Sequence, residues 1–275
     1  DEAYMANLDT MIGGGEQVDI TYLTYEDVYN RIINGGILPL DDYIAAAGDD
    51  YEAMYGSLAS TLLQYEGHIY GVPFMGNTFK VIYNKTLADQ AGVTIEDDWT
   101  IADFTEAARK MSDPANGVYG CVIPFTWDGV LYAPAERCGW QSVKKTDDGT
   151  VVPNFNDELL TKTLGLCPDL ATMEAESIAR RQVLAEGKCG MIMDTCWALI
   201  WLQTYMFNDP GKGELGFELG IADLPLVSDA GKEVSWSNLA GAFYVPKTAK
   251  YPAEAYEFAK FICNECVEES ANYMP

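Results

Sequence analysis

The chain has 275 residues, 48% of them hydrophobic, with 42 acidic against 17 basic side chains and a formal net charge of −25. That is enough apolar material for one large or two medium cored domains and too much for a disordered chain. The charge is wrong for gripping nucleic acid or an anionic membrane, both of which need clustered Lys and Arg.

Val18-Asp19-Ile20-Thr21-Tyr22 reads as a short strand, followed by a helical stretch that Gly35-Gly36 stops. Ile37 to Asp42 turns into another short helix. Gly67 to Pro73 is a hairpin-like approach to the strand Phe79–Tyr83, which Asn84-Lys85 closes. Thr100-Ile101-Ala102-Asp103 has the form of a capping box with Asp in the Glu/Gln place. Phe104, Ala107, Ala108 and Met111 follow at i, i+3, i+4 and i+7, the spacing of an amphipathic helix. Tyr119 to Phe125 reads as a buried strand, Asp147-Asp148-Gly149 as a turn, and Cys189 to Met193 as a short apolar strand. Trp197 to Phe207 is a helix with little polar face. Leu219–Ala222 and Ala242–Val245 are further strands, the latter ended by Pro246. Pro252 suits the first turn of a last helix, lined by Tyr256, Ala259, Ile262, Cys263 and Cys266. Strands alternating with helices predict an α/β architecture with mostly parallel sheets. With no internal repeat and no low-complexity linker, any two lobes are joined by short crossings. No apolar run reaches the roughly 18 residues of a transmembrane helix, and Asp1-Glu2-Ala3-Tyr4 does not read as a signal peptide.

Catalytic equipment is sparse. His68 is the sole histidine, in a Gly-His-Ile-Tyr-Gly setting without G-x-S-x-G, and reads as a turn residue. There is no Walker A, Gly13-Gly14-Gly15 does not match a dinucleotide fingerprint, and the Asp pairs lack the ligand ladder of an EF-hand. Of seven cysteines, an odd number, only Cys263 and Cys266 form a CxxC. Without a second pair or histidines, they read as small buried hydrophobes rather than a zinc site. No metal and no cofactor are expected. The 42 acids offer many pairs for glycoside chemistry, and spacing selects none of them. Recognition equipment is plentiful, with 6 Trp and 17 Tyr.

Several motifs in order resemble a known family. They are Gly15-Glu16-Gln17-Val18-Asp19-Ile20, Gly36-Ile37-Leu38-Pro39-Leu40-Asp41, and Tyr65 through Pro73 with its Gly67-His68-Ile69-Tyr70-Gly71-Val72-Pro73. Val81-Ile82-Tyr83-Asn84-Lys85, Asp98-Trp99-Thr100, Glu186-Gly187-Lys188-Cys189-Gly190-Met191 with Trp197 beyond it, and Ile221-Ala222-Asp223-Leu224-Pro225 follow. Each is weak alone; seven in sequence are similar to the family 1 extracellular solute-binding proteins, the maltose-binding type of sugar receptor that serves bacterial ABC importers. Val18 stands where the family has Pro. The resemblance implies a two-lobe, periplasmic-binding-protein-like fold (type II), a ligand cleft between lobes and hinge crossings. Residues 1–76 and 235–275 would form lobe 1, and 77–234 lobe 2. The family's opening strand-helix-strand and closing helices are absent, which implies a trimmed chain or reduced lobes. By the same resemblance the protein is no enzyme. It is expected to be a monomer, extracytoplasmic as a lipoprotein or in the periplasm, with a membrane permease as partner.

Sugars present C–H faces that stack on aromatics and hydroxyls that pair with Asn and Asp. Candidate contacts therefore lie where strands end. Trp127 and Trp197 resemble stacking positions of the family, and Trp236 sits at the presumed return crossing. Asn77 lies at the first crossing, and Asp194 follows a strand, where it either touches ligand or caps the next helix. Asn238 and Tyr25 complete the set, while Trp99, Trp140 and Trp201 read as structural. Three other readings stay open: a receptor for a cation such as a polyamine, a glycosidase-like enzyme using two cleft carboxylates, and a structural or adhesion module.

Overall fold

The computed structural model describes residues 2–122, 131–165, 177–208, 215–232, 234 and 237–266, without the side chains of 2, 25, 26, 177–180, 204–208 and 237–240. The chain opens with α1 (Glu2–Gly14), β1 (Thr21–Leu23), α2 (Tyr25–Ile33), α3 (Asp41–Ala47), α4 (Tyr51–Leu62), the hairpin β2 (Gln64–Tyr65) and β3 (His68–Ile69), and the long strand β4 (Gly71–Asn84). It continues with α5 (Lys85–Gln90), α6 (Ile101–Met111), β5 (Tyr119–Val122), α7 (Ala133–Arg137), the hairpin β6 (Val143–Lys145) and β7 (Val151–Pro153), and α8 (Glu158–Leu164). Then come α9 (Ser177–Ala185), β8 (Cys189–Thr195), α10 (Trp197–Asn208), β9 (Leu219–Ala222), β10 (Ser237–Tyr244) and α11 (Pro252–Glu265). Two compact units result, residues 1–77 with 238–274, and residues 78–237.

In the first unit β1 runs antiparallel to β10, Thr21 opposite Tyr244 and Leu23 opposite Ala242, and β10 neighbours β4. Alternation along the strands sends side chains to both faces. Leu23, Ala242 and Tyr244 pack with Leu8 and Ile12 of α1 and Val28 and Ile32 of α2. On the other face Val72 and Val245 pack with Ala255, Tyr256 and Ala259 of α11 and with Ile44 of α3. A polar tie joins the same layer: Asp49 accepts from Tyr256 Oη at 2.8 Å and from Lys260 Nζ at 2.5 Å.

In the second unit β4 is antiparallel to β8, from Phe79 opposite Thr195 to Tyr83 opposite Met191, and antiparallel to β9 on its other edge. β8 pairs in parallel with β5. Val81, Met191, Met193 and Cys121 meet Phe104, Ala107, Ala108 and Met111 of α6. Ile82, Ile192 and Val122 meet Leu184 of α9 and Ala198 and Leu202 of α10. The capping box of α6 is complete: Thr100 Oγ1 accepts from Asp103 N, and Asp103 Oδ2 accepts from Thr100 N at 2.8 Å. Gly120 lets α6 lie directly on β5, since a Cβ there would sit 1.7 Å from the Ala108 carbonyl oxygen.

One expectation is corrected. The sheet is mixed: among the described pairs only β5 with β8 is parallel, because β8 and β9 both return against β4. Alternation of helix and strand in a sequence does not carry strand direction. Glu2–Gly14 is a helix whose buried face is supplied by Leu8 and Ile12, and the sequence pattern, interrupted by Gly13-Gly14-Gly15, does not announce it. Helix α4 was also unforeseen, its pattern blurred by Gly56 at φ +79° and by exposed Met54, Leu58 and Leu62. Cys121, Cys138 and Cys189 are buried, Cys196, Cys263 and Cys266 partly so, and all six are free thiols; Cys167 lies outside the described residues.

Gly120→Ala is expected to lower the urea midpoint, with a loss of ~1–3 kcal/mol from overpacking against α6. At Asp49 the Lys260 ammonium, aided by the Tyr256 hydroxyl, outweighs burial and holds the carboxyl below its ordinary value. A depressed carboxylate adds stability above its unfolded value and loses it as pH falls through the folded one. Asp49→Asn should therefore cost about 1 kcal/mol at neutral pH and progressively less below about pH 4, read from melting curves across pH.

Candidate functional site

Ligand sites in α/β proteins gather where strands end and helices begin. In the second unit β8 is buried along its whole length, yet its penultimate residue is a charge, Asp194, with no solvent exposure. A sealed carboxylate needs a cation. Arg181, one helix back on α9, supplies it through two bonds, Nε to Oδ2 and Nη2 to Oδ1, both 2.8 Å. The Thr195 N–H donates to the same Oδ1 at 2.7 Å.

Lys80 stands opposite Asp194 in the β4–β8 register, and its ammonium donates to Asp223 just past β9. Asp223 also lies 3.7 Å from Nη2 of Arg137. Arg137 is buried and donates through Nε to the Val234 carbonyl at 2.8 Å and through Nη1 to the Leu224 carbonyl. Positive and negative side chains thus alternate across the strand ends: Arg181, Asp194, Lys80, Asp223 and Arg137.

The turn from β8 into α10 is tied to β4. Cys196 N donates to the Thr78 carbonyl at 3.0 Å, extending the strand pairing, and Leu199 N donates to the Cys196 carbonyl at 3.0 Å, opening the helix. Trp197 is the first residue of α10 and is half-buried.

The structure brings Trp197 and Asp194 onto one turn but gives them different surroundings. Trp197 keeps contact with solvent, whereas the Asp194 carboxylate is enclosed and bonded to Arg181 and to the Thr195 N–H. Asn77 is the last residue of the first unit, half-buried on β4. Asn238 lies on β10 and Tyr25 opens α2 behind the Thr24 cap, both described in backbone alone. Trp127 and Trp236 lie outside the described residues. The tryptophans read as structural are packed: Trp99 and Trp140 are buried, their Nε1 donating to the Asp223 carbonyl at 2.8 Å and the Asn154 carbonyl at 2.9 Å, and Trp201, on α10, is partly buried against the core of Ile82, Ile192 and Leu202. His68 is exposed, its Nδ1 3.2 Å from Asp41.

Sequence reasoning missed Arg181, Lys80, Asp223 and Arg137. The one local signal is an acid one residue from the end of an otherwise uncharged strand, which demands a cation without saying which. Arg137→Met should leave the buried Leu224 carbonyl oxygen unsatisfied and free the Val234 carbonyl, at a cost of roughly 1–3 kcal/mol in a denaturant titration.

A family model described as bacterial extracellular solute-binding protein matches residues 1–265. The maltotriose-binding protein of Pyrococcus abyssi is 23% identical over 228 residues, 82% of this chain and 46% of that protein, so the chain spans about half the length of this curated relative. Among solved structures, an ABC substrate-binding protein of Listeria monocytogenes in complex with cycloalternan is 23% identical at a TM-score of 0.70, covering 95% of this chain and 65% of that one. UgpB from Mycobacterium tuberculosis in complex with glycerophosphocholine is 16% identical at a TM-score of 0.76, covering 95% and 64%.

Proposed function

This chain belongs to the bacterial extracellular solute-binding proteins, and on that premise we propose that it is a non-catalytic receptor that binds a sugar or oligosaccharide and hands it to the membrane permease of an ABC importer. The observation that carries the reading is the extent of the family match, which runs through both units from residue 1 to residue 265. The ligand class is supported by relatives named for maltotriose or solved with cycloalternan. Trp197 supports it physically: a half-buried indole at a strand-to-helix turn offers an apolar face for the C–H side of a sugar ring and an N–H for its hydroxyls. Asn77 on β4 suits hydroxyl recognition, because an amide both donates and accepts. We extend the same role to Trp127, Trp236, Asn238 and Tyr25.

The arrangement of charge favours a neutral polyhydroxy ligand over a polyamine. A cation needs carboxylates turned toward it, whereas Asp194 is held by Arg181, and Asp223 by Lys80 and Arg137. The same pairing suits neither acid for glycoside cleavage, which needs one protonated carboxyl and a second carboxylate on the opposite side of the scissile bond. We place the working protein outside the cytoplasm, in the periplasm or lipid-anchored, as a monomer. Among the described residues no helix is long and apolar enough to cross a membrane.

Tryptophan fluorescence and melting against a panel of mono- and oligosaccharides, with spermidine as control, tests the reading. A sugar at a hundredfold its Kd should add about 2.7 kcal/mol of stability while staying chemically intact. A response to spermidine alone, or disappearance of the sugar, would overturn it. Trp197→Ala should weaken the responding sugar at least about tenfold, or ~1.4 kcal/mol, by isothermal titration.

A further inference from the structure

We propose that Arg181 is a positioning residue: acting through Asp194, it sets the turn that presents Trp197. The proposal rests on the reading of Trp197 as a ligand contact and adds to it the device that aims the indole.

The chain of contacts is short. Two parallel N–H···O bonds from one guanidinium fix both the place and the plane of a carboxylate, which a single bond does not. Arg181 makes both, and it is itself largely enclosed, with 15% of its side chain exposed. The carboxylate oxygen that accepts from Nη2 also accepts from the N–H of Thr195, the next residue. Orientation of the guanidinium is thereby passed to the last peptide of β8. One residue on, Cys196 N is bonded to the Thr78 carbonyl of β4, and the Cys196 carbonyl accepts the first helical bond of α10. The three residues before Trp197 are held from α9 on one side and from β4 on the other. Below the turn, Leu184 of α9 packs with Ala198 and Leu202 of α10, so both helices share one core. A shift of the Arg181 anchor is therefore transmitted to the first residue of α10, which is Trp197.

An ion pair that only stabilised the fold would behave differently. Buried pairs can be exchanged for apolar residues of similar volume with little loss of stability. The double variant Arg181→Met/Asp194→Leu removes the charges together and strands neither. It keeps the layer filled but abolishes the carboxylate that grips Thr195 N.

The experiment uses the full chain labelled with 5-fluorotryptophan, with Trp197→Phe to assign the Trp197 fluorine resonance. That resonance is recorded without ligand in the wild type, the double variant and Arg181→Lys, beside melting curves and maltotriose titrations. The expected result is a double variant that still folds cooperatively and melts below wild type by no more than the lost bond to Thr195 N accounts for, shows a displaced or multiple Trp197 resonance, and binds maltotriose about tenfold more weakly, as a misplaced contact group does. Arg181→Lys keeps the charge and loses the two-bond geometry, so it should melt normally and still displace the resonance. A Trp197 resonance unchanged from wild type in both variants overturns the proposal and leaves the pair a purely structural one. Absence of maltotriose binding in the wild type counts against the ligand reading alone, because the fluorine signal in the ligand-free protein still decides the positioning role.

Discussion

β4 is the constraint on which the rest of the structure depends. It is 14 residues long and contributes strand residues to both units. Buried peptide groups have to be paired, and β4 meets that demand with β10 in one unit and with β8 and β9 in the other. Its side chains then decide the layers of the second unit. Phe79 and Val81 face α6, while Ile82 faces α9 and α10. The helices on each face follow from where a two-residue period places apolar side chains.

The charge balance gives the interior a second constraint. Acids outnumber bases by 42 to 17, so the surface is strongly negative and repels itself. Against that background two arginines, Arg137 and Arg181, are drawn inward, together with the half-exposed Lys80. Each answers a carboxylate at the end of a strand. The second unit therefore ends its strands in a row of alternating charge, and the turn bearing Trp197 grows from one end of that row. A contact group built on a strand-to-helix turn with bonded neighbours is held more closely than one on a free loop. That suits the proposed receptor role, in which selectivity would depend on where a few polar and aromatic groups stand.

The sequence alone determined what local chemistry determines. Thr100 and Asp103 announced a helix start, and the spacing of Phe104, Ala107, Ala108 and Met111 announced its buried face; both are as expected because neither needs a distant residue. Leu219–Ala222 and the core of β8, Cys189–Met193, were legible as apolar runs, and Trp197 as the opening of the helix beyond. The family was legible because its motifs mark strand ends and turns, which tolerate few alternatives. The tertiary structure alone decided the rest. It decided strand direction, which no period in the sequence carries, and the helices at 2–14 and 51–62, whose glycines and exposed apolar residues blur the pattern. It also decided that Asp194 is enclosed with Arg181 while Trp197, three residues on, keeps contact with solvent. Pairing between Lys80 and Asp223 spans 143 residues, and such contacts depend on packing that brings distant segments together. That is the physical reason the family was readable in one dimension and the enclosure of Asp194 by Arg181 was not.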